Sequence, residues 1–451
     1  MPDSHQSGAA EALTQPIPRA RPDAQPVGRI RRALAGWRDP QHRDGLALVL
    51  SSAISSAVGL LYWVVAARLF TPDEVGVNSA LISTMTLLAI TAQLNLGGAL
   101  LRFVPVAGRS ARALVIACYG VGAAVACAVG AVFAAGAGWW ARDLVDALGH
   151  GPLIAFFVLA TPVWTVFVMQ DYVLTASKRA TLVPLENVVF ALLKIGLLAV
   201  GTLLVFRGVI AVSWALATAV IVLVVTAYLM RVLRPAAVTA PPQEEIRPRS
   251  IARFVSADWA GGLCTDAVEF GLPLIVLVVL DPDSAATYGM VWAIAYGLYL
   301  VTHGMSQSMV AHVSASPEGL RAAVRTMVVK ALTLIVPGVL VIVPGAGLIL
   351  SIFGPHYAET GTTLLALCAL SAVPNVVVVA AVAAARVRQR RAMIFAVPAS
   401  VAAIVISLAL TLMPRFGLTG VGIALLVGES AVAAAILVFA LRSGRWAARG
   451  A

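Results

Sequence analysis

Twelve times between residues 45 and 441 the chain runs for about twenty residues with almost no charge. Each run is long enough to cross roughly 30 Å of hydrocarbon as a helix rising about 1.5 Å per residue. The runs fall at 45–67, 77–100, 113–138, 152–171, 185–205, 209–230, 255–280, 286–311, 330–352, 360–382, 393–413 and 420–441. A composition of 60% hydrophobic and 12% charged residues agrees with this, since soluble domains carry about 25% charged residues. The spacing predicts an all-α polytopic membrane protein with little left over for a soluble domain.

Basic residues fix the orientation. If the N-terminus lies inside, 27 of the 32 Lys and Arg fall on the cytoplasmic side, four (Arg68, Arg142, Arg207 and Arg415) fall outside, and Lys194 remains within a span. That bias predicts an even number of spans with both termini cytoplasmic, in the cytoplasmic membrane. It also accounts for the net charge of +11 without nucleic acid, because the basic residues line one membrane face and form no compact domain. Cys118, Cys127, Cys264 and Cys368 all fall within spans and show no metal-ligand spacing, so they read as buried apolar residues.

The longest loop divides the spans six and six. Residues 1–44, Pro-rich, polar and basic, read as a disordered cytoplasmic tail; residues 45–230 form a first six-helix bundle, 231–254 a cytoplasmic linker, 255–441 a second bundle and 442–451 a short tail. The halves repeat one another. Phe206-Arg-Gly-Val-Ile-Ala-Val-Ser-Trp-Ala-Leu opens the sixth span and Arg415-Phe-Gly-Leu-Thr-Gly-Val-Gly-Ile-Ala-Leu the twelfth; Pro72 before Gly76 is echoed by Pro282 before Gly289. Two repeats of six spans share one orientation, and transporters built that way carry substrate between their halves. At the first outer turn, Thr71-Pro72-Asp73-Glu74 predicts a capping box with Pro at the first helical position.

Several segments resemble a known family: Leu60-Leu-Tyr-Trp-Val-Val-Ala-Ala-Arg-Leu-Phe-Thr-Pro-Asp-Glu-Val-Gly, then Leu96-Gly-Gly-Ala-Leu-Leu-Arg-Phe-Val-Pro, then Ile352-Phe-Gly-Pro-His-Tyr-Ala-Glu, then Phe416-Gly-Leu-Thr-Gly-Val-Gly-Ile-Ala-Leu. In that order they are similar to the polysaccharide-transporter branch of the multidrug/oligosaccharidyl-lipid/polysaccharide exporter superfamily, which also contains multidrug exporters and peptidoglycan-precursor flippases. The resemblance spans roughly residues 45 to 441. It implies two parallel six-helix repeats in a V around a hydrophilic cavity. It also implies flipping of a polyprenyl-linked oligosaccharide, with polysaccharide polymerases or glycosyltransferases as partners in the same system.

Charge inside a bilayer costs about 2.5–3.5 kcal/mol per group on insertion scales, so buried ionisable residues face a cavity or a partner. Lys194 lies mid-depth in span five, Asp266 and Glu269 in span seven, and Glu429 in span twelve; Asp258 and Glu186 fall near cytoplasmic ends, where they reach headgroups and water. At 100° per residue Asp258 and Glu269 are about 20° apart and Asp266 about 60° from Glu269, so the three acids share a face. Gly261-Gly262 and Gly271-Leu272-Pro273 around that face predict a bend or an unwound stretch. Lys194 suits the diphosphate or an acidic sugar of a lipid-linked glycan, or an ion pair with a mid-depth acid. Asp266, Glu269 and Glu429 suit binding of H⁺ or Na⁺ for coupling to a gradient. Arg102 stands at the cytoplasmic mouth, where it could guide a phosphate headgroup, and Asn95 could meet sugar hydroxyls. No cofactor is expected.

Enzymatic signals are poor. Asp281-Pro282-Asp283 matches the Asp-x-Asp of some glycosyltransferases but sits at an outer turn, where helix capping is the simpler reading. There is no phosphate-binding Gly-Lys and no His-Glu-x-x-His. The expected function is a flippase of a lipid-linked oligosaccharide, probed against an ion-coupled exporter of amphipathic cations and a membrane-bound glycan polymerase or ligase.

Overall fold

Small residues at every fourth position set how closely these helices approach. On the helix Ala111–Trp140 the buried stripe includes Gly122, Ala126, Gly130, Ala134 and Ala137, and a side chain at Gly130 would lie 2.6 Å from the carbonyl oxygen of Phe157 on the neighbouring helix. Without a hydrophobic drive between helices in lipid, such backbone approach supplies the packing energy. The large apolar side chains point the other way: Val132, Leu159, Leu223, Leu340 and Leu348 are all about two-thirds exposed or more, as a lipid-facing surface requires.

The computed structural model describes residues 58–179, 182–203, 206–233, 248–313 and 319–442, with backbone alone at 248–258 and 311–313. Helices in chain order are α1 (Val58–Leu69), α2 (Pro72–Ala92), α3 (Leu96–Phe103), α4 (Ala111–Trp140), α5 (Arg142–Leu148), α6 (His150–Ala176), α7 (Leu182–Gly201) and α8 (Val209–Val232). The second half holds α9 (Pro248–Val279), α10 (Pro282–Val313), α11 (Leu320–Ser351), α12 (Pro355–Val387), α13 (Arg391–Phe416) and α14 (Leu418–Arg442). Among the described residues 11 helices are long and apolar enough to cross a membrane, and there is no strand. The expected first span lies partly outside the described residues, which begin within it at Val58. The two tails, apart from Arg442, and most of the linker also lie outside them.

The packing plan repeats. α4 packs on α6, α6 on α8, α7 on α8 and α2 on α6; the corresponding pairs α11–α12, α12–α14, α13–α14 and α10–α12 pack in the second half. The halves meet where α2 lies against α9 and α10. Both repeats begin this contact with a capped, Pro-led turn. Thr71 and Glu74 form the expected capping box, and in the second repeat Ser284 N donates to Asp281 Oδ1 at 2.7 Å while its hydroxyl lies 3.0 Å from Asp281 Oδ2. Asp281 is thus a helix cap. The glycines echoed between the repeats sit at the crossing itself: a side chain at Gly76 would meet the Pro282 carbonyl oxygen at 1.7 Å, and one at Gly289 would meet Ser79 Oγ at 2.3 Å.

Three features depart from expectation. Span two is not one helix: α2 stops at Ala92, Leu94 and Asn95 adopt φ of 49° and 55°, and α3 starts at Leu96. A left-handed non-glycine residue costs about 1–2 kcal/mol, so two in succession mark a real break. Trp259 Nε1 on α9 donates to Thr91 O at 3.1 Å, a second bond to a carbonyl at the end of α2 that also accepts from Leu94 N at 3.3 Å. Conversely, the acid-bearing span seven does not unwind; α9 is continuous through Gly261, Gly262 and Pro273, and Gly261 instead admits the backbone of Ile394 on α13. Finally, the turn before α6 carries the short helix α5, next to Trp139 and Trp140, at the membrane face opposite the basic loops.

Candidate functional site

The first cluster forms around Lys194. On α7 the buried positions are Glu186, Phe190, Ala191, Lys194, Leu198 and Gly201, a helical stripe that carries the lysine into the protein and leaves Leu185, Val189 and Leu192 to lipid. Lys194 is 3% exposed. Its Nζ lies 3.7 Å from the ring centroid of Trp214, 4.6 Å from Tyr62 and 4.9 Å from Phe190. The rings hold one another: Tyr62 and Phe190 meet Trp214 edge-on, and Trp164 stacks on Phe167 behind them. Tyr62 is fixed further by its hydroxyl, which donates to Ile210 O at 2.7 Å and lies 3.0 Å from Ser213 Oγ.

No carboxylate lies within ion-pair distance of Lys194 among the described residues, so the ion pair with a mid-depth acid is not formed. Aromatic faces take its place. Burying an ion costs several kcal/mol, and a desolvated cation–π contact returns about 2 kcal/mol or more; three such contacts are of the right size to hold the charge. Phe190 stands one helical turn before Lys194 on α7, but Tyr62 and Trp214 come from α1 and α8, so the sequence shows the lysine without showing its box.

The second cluster lies in the other half, among α9, α10, α12 and α14. Glu269 Oε1 is 3.2 Å from His303 Nε2, joining α9 to α10. Asn375 Nδ2 on α12 donates to Glu429 Oε1 on α14 at 3.1 Å, while Glu429 Oε2 is buried without a hydrogen-bond partner. Tyr299 and Ser371, both buried, are joined by a 2.7 Å hydrogen bond in the same region. Glu269 and Glu429 are 6% and 4% exposed; Asp266, one helical turn from Glu269, is half-buried. Glu269 therefore has an imidazole as its near partner, in addition to its neighbour Asp266 along the helix. The side chains of Asp258 and His312 lie outside the described residues.

The other expected site residues sit in separate surroundings. Asn95 is a half-buried residue at the left-handed break between α2 and α3. Arg102 is exposed near the end of α3, its guanidinium 5.3 Å from the ring of Phe103. Glu186, expected at the water interface, is instead 6% exposed. All four cysteines are free thiols, two of them buried. Among the described residues no group of three or more His, Cys, Asp or Glu is placed to hold a metal ion.

No protein-family model and no curated protein matches the chain. Solved structures do. An inward-facing multidrug resistance transporter of the MATE family in the MOP superfamily aligns over 87% of this chain and 96% of its own at 13% identity, with a TM-score of 0.68. The lipid II flippase MurJ, in an inward closed conformation, aligns over 88% of this chain and 87% of its own at 11% identity and a TM-score of 0.66. The MATE multidrug transporter DinF-BH aligns over 88% of this chain and 93% of its own at 14% identity and a TM-score of 0.58. The fold is therefore that of MOP-type transporters, and the chain is a multi-pass membrane protein.

Proposed function

We propose that the protein is a flippase that moves a polyprenyl-linked oligosaccharide across the cytoplasmic membrane for envelope polysaccharide synthesis, driven by an H⁺ or Na⁺ gradient through alternating access. Both termini then lie in the cytoplasm, residues 45–230 and 255–441 act as the two moving bundles, and a polymerase or glycosyltransferases act alongside. The observation that carries this reading is the buried Lys194 amine, ringed by aromatic faces and with no carboxylate partner among the described residues. Charge attraction at 4 Å is worth about 4 kcal/mol at an effective dielectric of 20. Two such charges of a diphosphate therefore rival three aromatic faces at about 2 kcal/mol each, and an arriving lipid diphosphate can draw Lys194 from its box. Arg102 and Asn95 would meet the headgroup and sugars nearer the basic face. In the other half Glu269, Asp266 and Glu429 would take the coupling cation, with His303 responding to the charge on Glu269.

A second reading, export of amphipathic cations, is favoured by the aromatic residues around Lys194, whose faces attract any organic cation, and by the deep acids. Deleting the gene and analysing lipid-linked glycans separates the two. The flippase reading expects a complete glycan to accumulate on the cytoplasmic leaflet. An unchanged glycan pool with new sensitivity to cationic dyes would overturn it in favour of drug export.

A further inference from the structure

A third ionisable cluster lies in the first half, apart from both sites above. Tyr119 on α4, Asp171 on α6 and Glu186 on α7 converge near the ends of their helices on the basic face. At about 1.5 Å per residue they stand one to two turns in from that face, roughly 6–12 Å deep. Tyr119 belongs to one buried cluster with Met169, Val173 and Leu174 of α6, against which Leu182 and Val183 of α7 pack, and this packing brings the segments that carry Asp171 and Glu186 to the Tyr119 ring. Glu186 is 6% exposed and neither of its carboxylate oxygens has a hydrogen-bond partner; Tyr119 is 8% exposed and its hydroxyl also has none. Asp171 Oδ1 is buried and unpartnered as well.

Among the described residues, the groups facing this cluster supply no counter-charge. α4 contributes Cys118 beside Tyr119 and Arg112 two turns nearer the face; α6 contributes Gln170, bonded to Val222 O and Thr226 Oγ1 of α8, and Tyr172, whose ring lies against Gly97 of α3. Arg179 in the following loop lies over the ring of Tyr228 on α8 at 5.9 Å. Neither Arg112, Lys178, Arg179 nor Arg231 forms an ion pair with either acid. Two uncompensated carboxylates would cost several kcal/mol each, comparable to the whole stability of a domain. A metal ion such as Ca²⁺ needs about six or more oxygens, more than two carboxylates and a phenol present.

We propose that Asp171 and Glu186, with the buried Tyr119 hydroxyl of α4, form a proton-binding site at the basic-face end of the first half, separate from the acids of the second half. The site makes the first half responsive to pH on that face. It does not depend on the identity of the transported molecule. The test is infrared difference spectroscopy of the full-length protein in lipid nanodiscs, between acidic and alkaline buffer. The expected result is a carboxylic-acid carbonyl band that disappears on alkalinisation, part of which is missing in Glu186→Gln and in Asp171→Asn and survives in a Glu269→Gln/Glu429→Gln double variant. Tyr119→Phe, which removes only a hydroxyl, should shift the titration midpoint of that same component, and it serves if the acid variants do not yield folded protein. Spectra of Glu186→Gln, Asp171→Asn and Tyr119→Phe that superimpose on wild type, or a band abolished entirely by the Glu269/Glu429 changes, would overturn the proposal.

Discussion

At Lys194 the opposing energies are close in size, which makes the residue informative to mutate. Lys194→Met keeps most of the packing while deleting both the buried charge and its three aromatic contacts, so stability should stay within about 2 kcal/mol of wild type. Transport of a lipid-linked glycan in reconstituted vesicles should nevertheless be lost; wild-type transport by Lys194→Met would remove the lysine from substrate binding. Glu269→Gln preserves size and an oxygen facing His303 but cannot exchange a proton. It is expected to slow gradient-driven transport by about tenfold or more, about 1.4 kcal/mol on the barrier, and to leave gradient-free exchange intact. Equal loss in both assays would assign Glu269 to architecture. At this scale the sequence revealed which charges lie deep, because charge inside an apolar run stands out. Partners were not legible: Tyr62 and Trp214 about Lys194, His303 beside Glu269 and Asn375 beside Glu429 come from other helices, and Phe190, one turn before Lys194 on α7, reads as ordinary apolar helix surface. Asp171 was hidden for another reason, since an apolar run is ended at its first acid, whereas α6 continues five residues beyond it.

At the scale of the element, helix existence was legible and helix continuity was not. The capping box at Thr71–Glu74 follows from four adjacent residues and forms as read. The break at Leu94–Asn95 has only Asn95 as a local clue, a residue that tolerates the left-handed region better than most, and it is supported by Trp259 from another helix. Glycine would relieve the backbone strain, while a β-branched residue would aggravate it. Asn95→Gly is therefore expected to raise or preserve the thermal midpoint and Asn95→Val to lower stability by about 1–2 kcal/mol, measured by size-exclusion after heating. Should both behave alike, the left-handed turn is not a constraint on the native state. If Asn95 also binds sugar, the glycine variant will be stable yet transport poorly, which separates the backbone role from the side-chain role.

For the whole molecule the strongest sequence signal was repetition, and its physical meaning emerges at the crossing of α2 and α10. Repeats related by an axis along the membrane normal bring equivalent helices together, so the matched Pro-led turns of the two repeats become neighbours in space: Gly76 approaches Pro282 and Ser79 approaches Gly289. Arg68 closes the same face by donating from its guanidinium to the Ser351 and Ile352 carbonyl oxygens of the other half at 2.8–3.0 Å. If transport requires the halves to part there, a covalent tie must stop it. A side chain on Gly289 would place its Cβ 3.2 Å from that of Ser79, slightly inside the roughly 3.5–4.5 Å range of disulfides and reachable by a small backbone shift. Gly289 introduces strain of its own when replaced, so the reduced Ser79→Cys/Gly289→Cys protein is the reference state. Replacing the four native cysteines by alanine first leaves the pair as the sole thiols, and oxidation should then cross-link it in high yield. Transport should fall to background when the tie is made and return to the reduced level on addition of thiol. Full transport by the cross-linked protein would mean that this crossing is a fixed pivot, with the substrate path opening elsewhere.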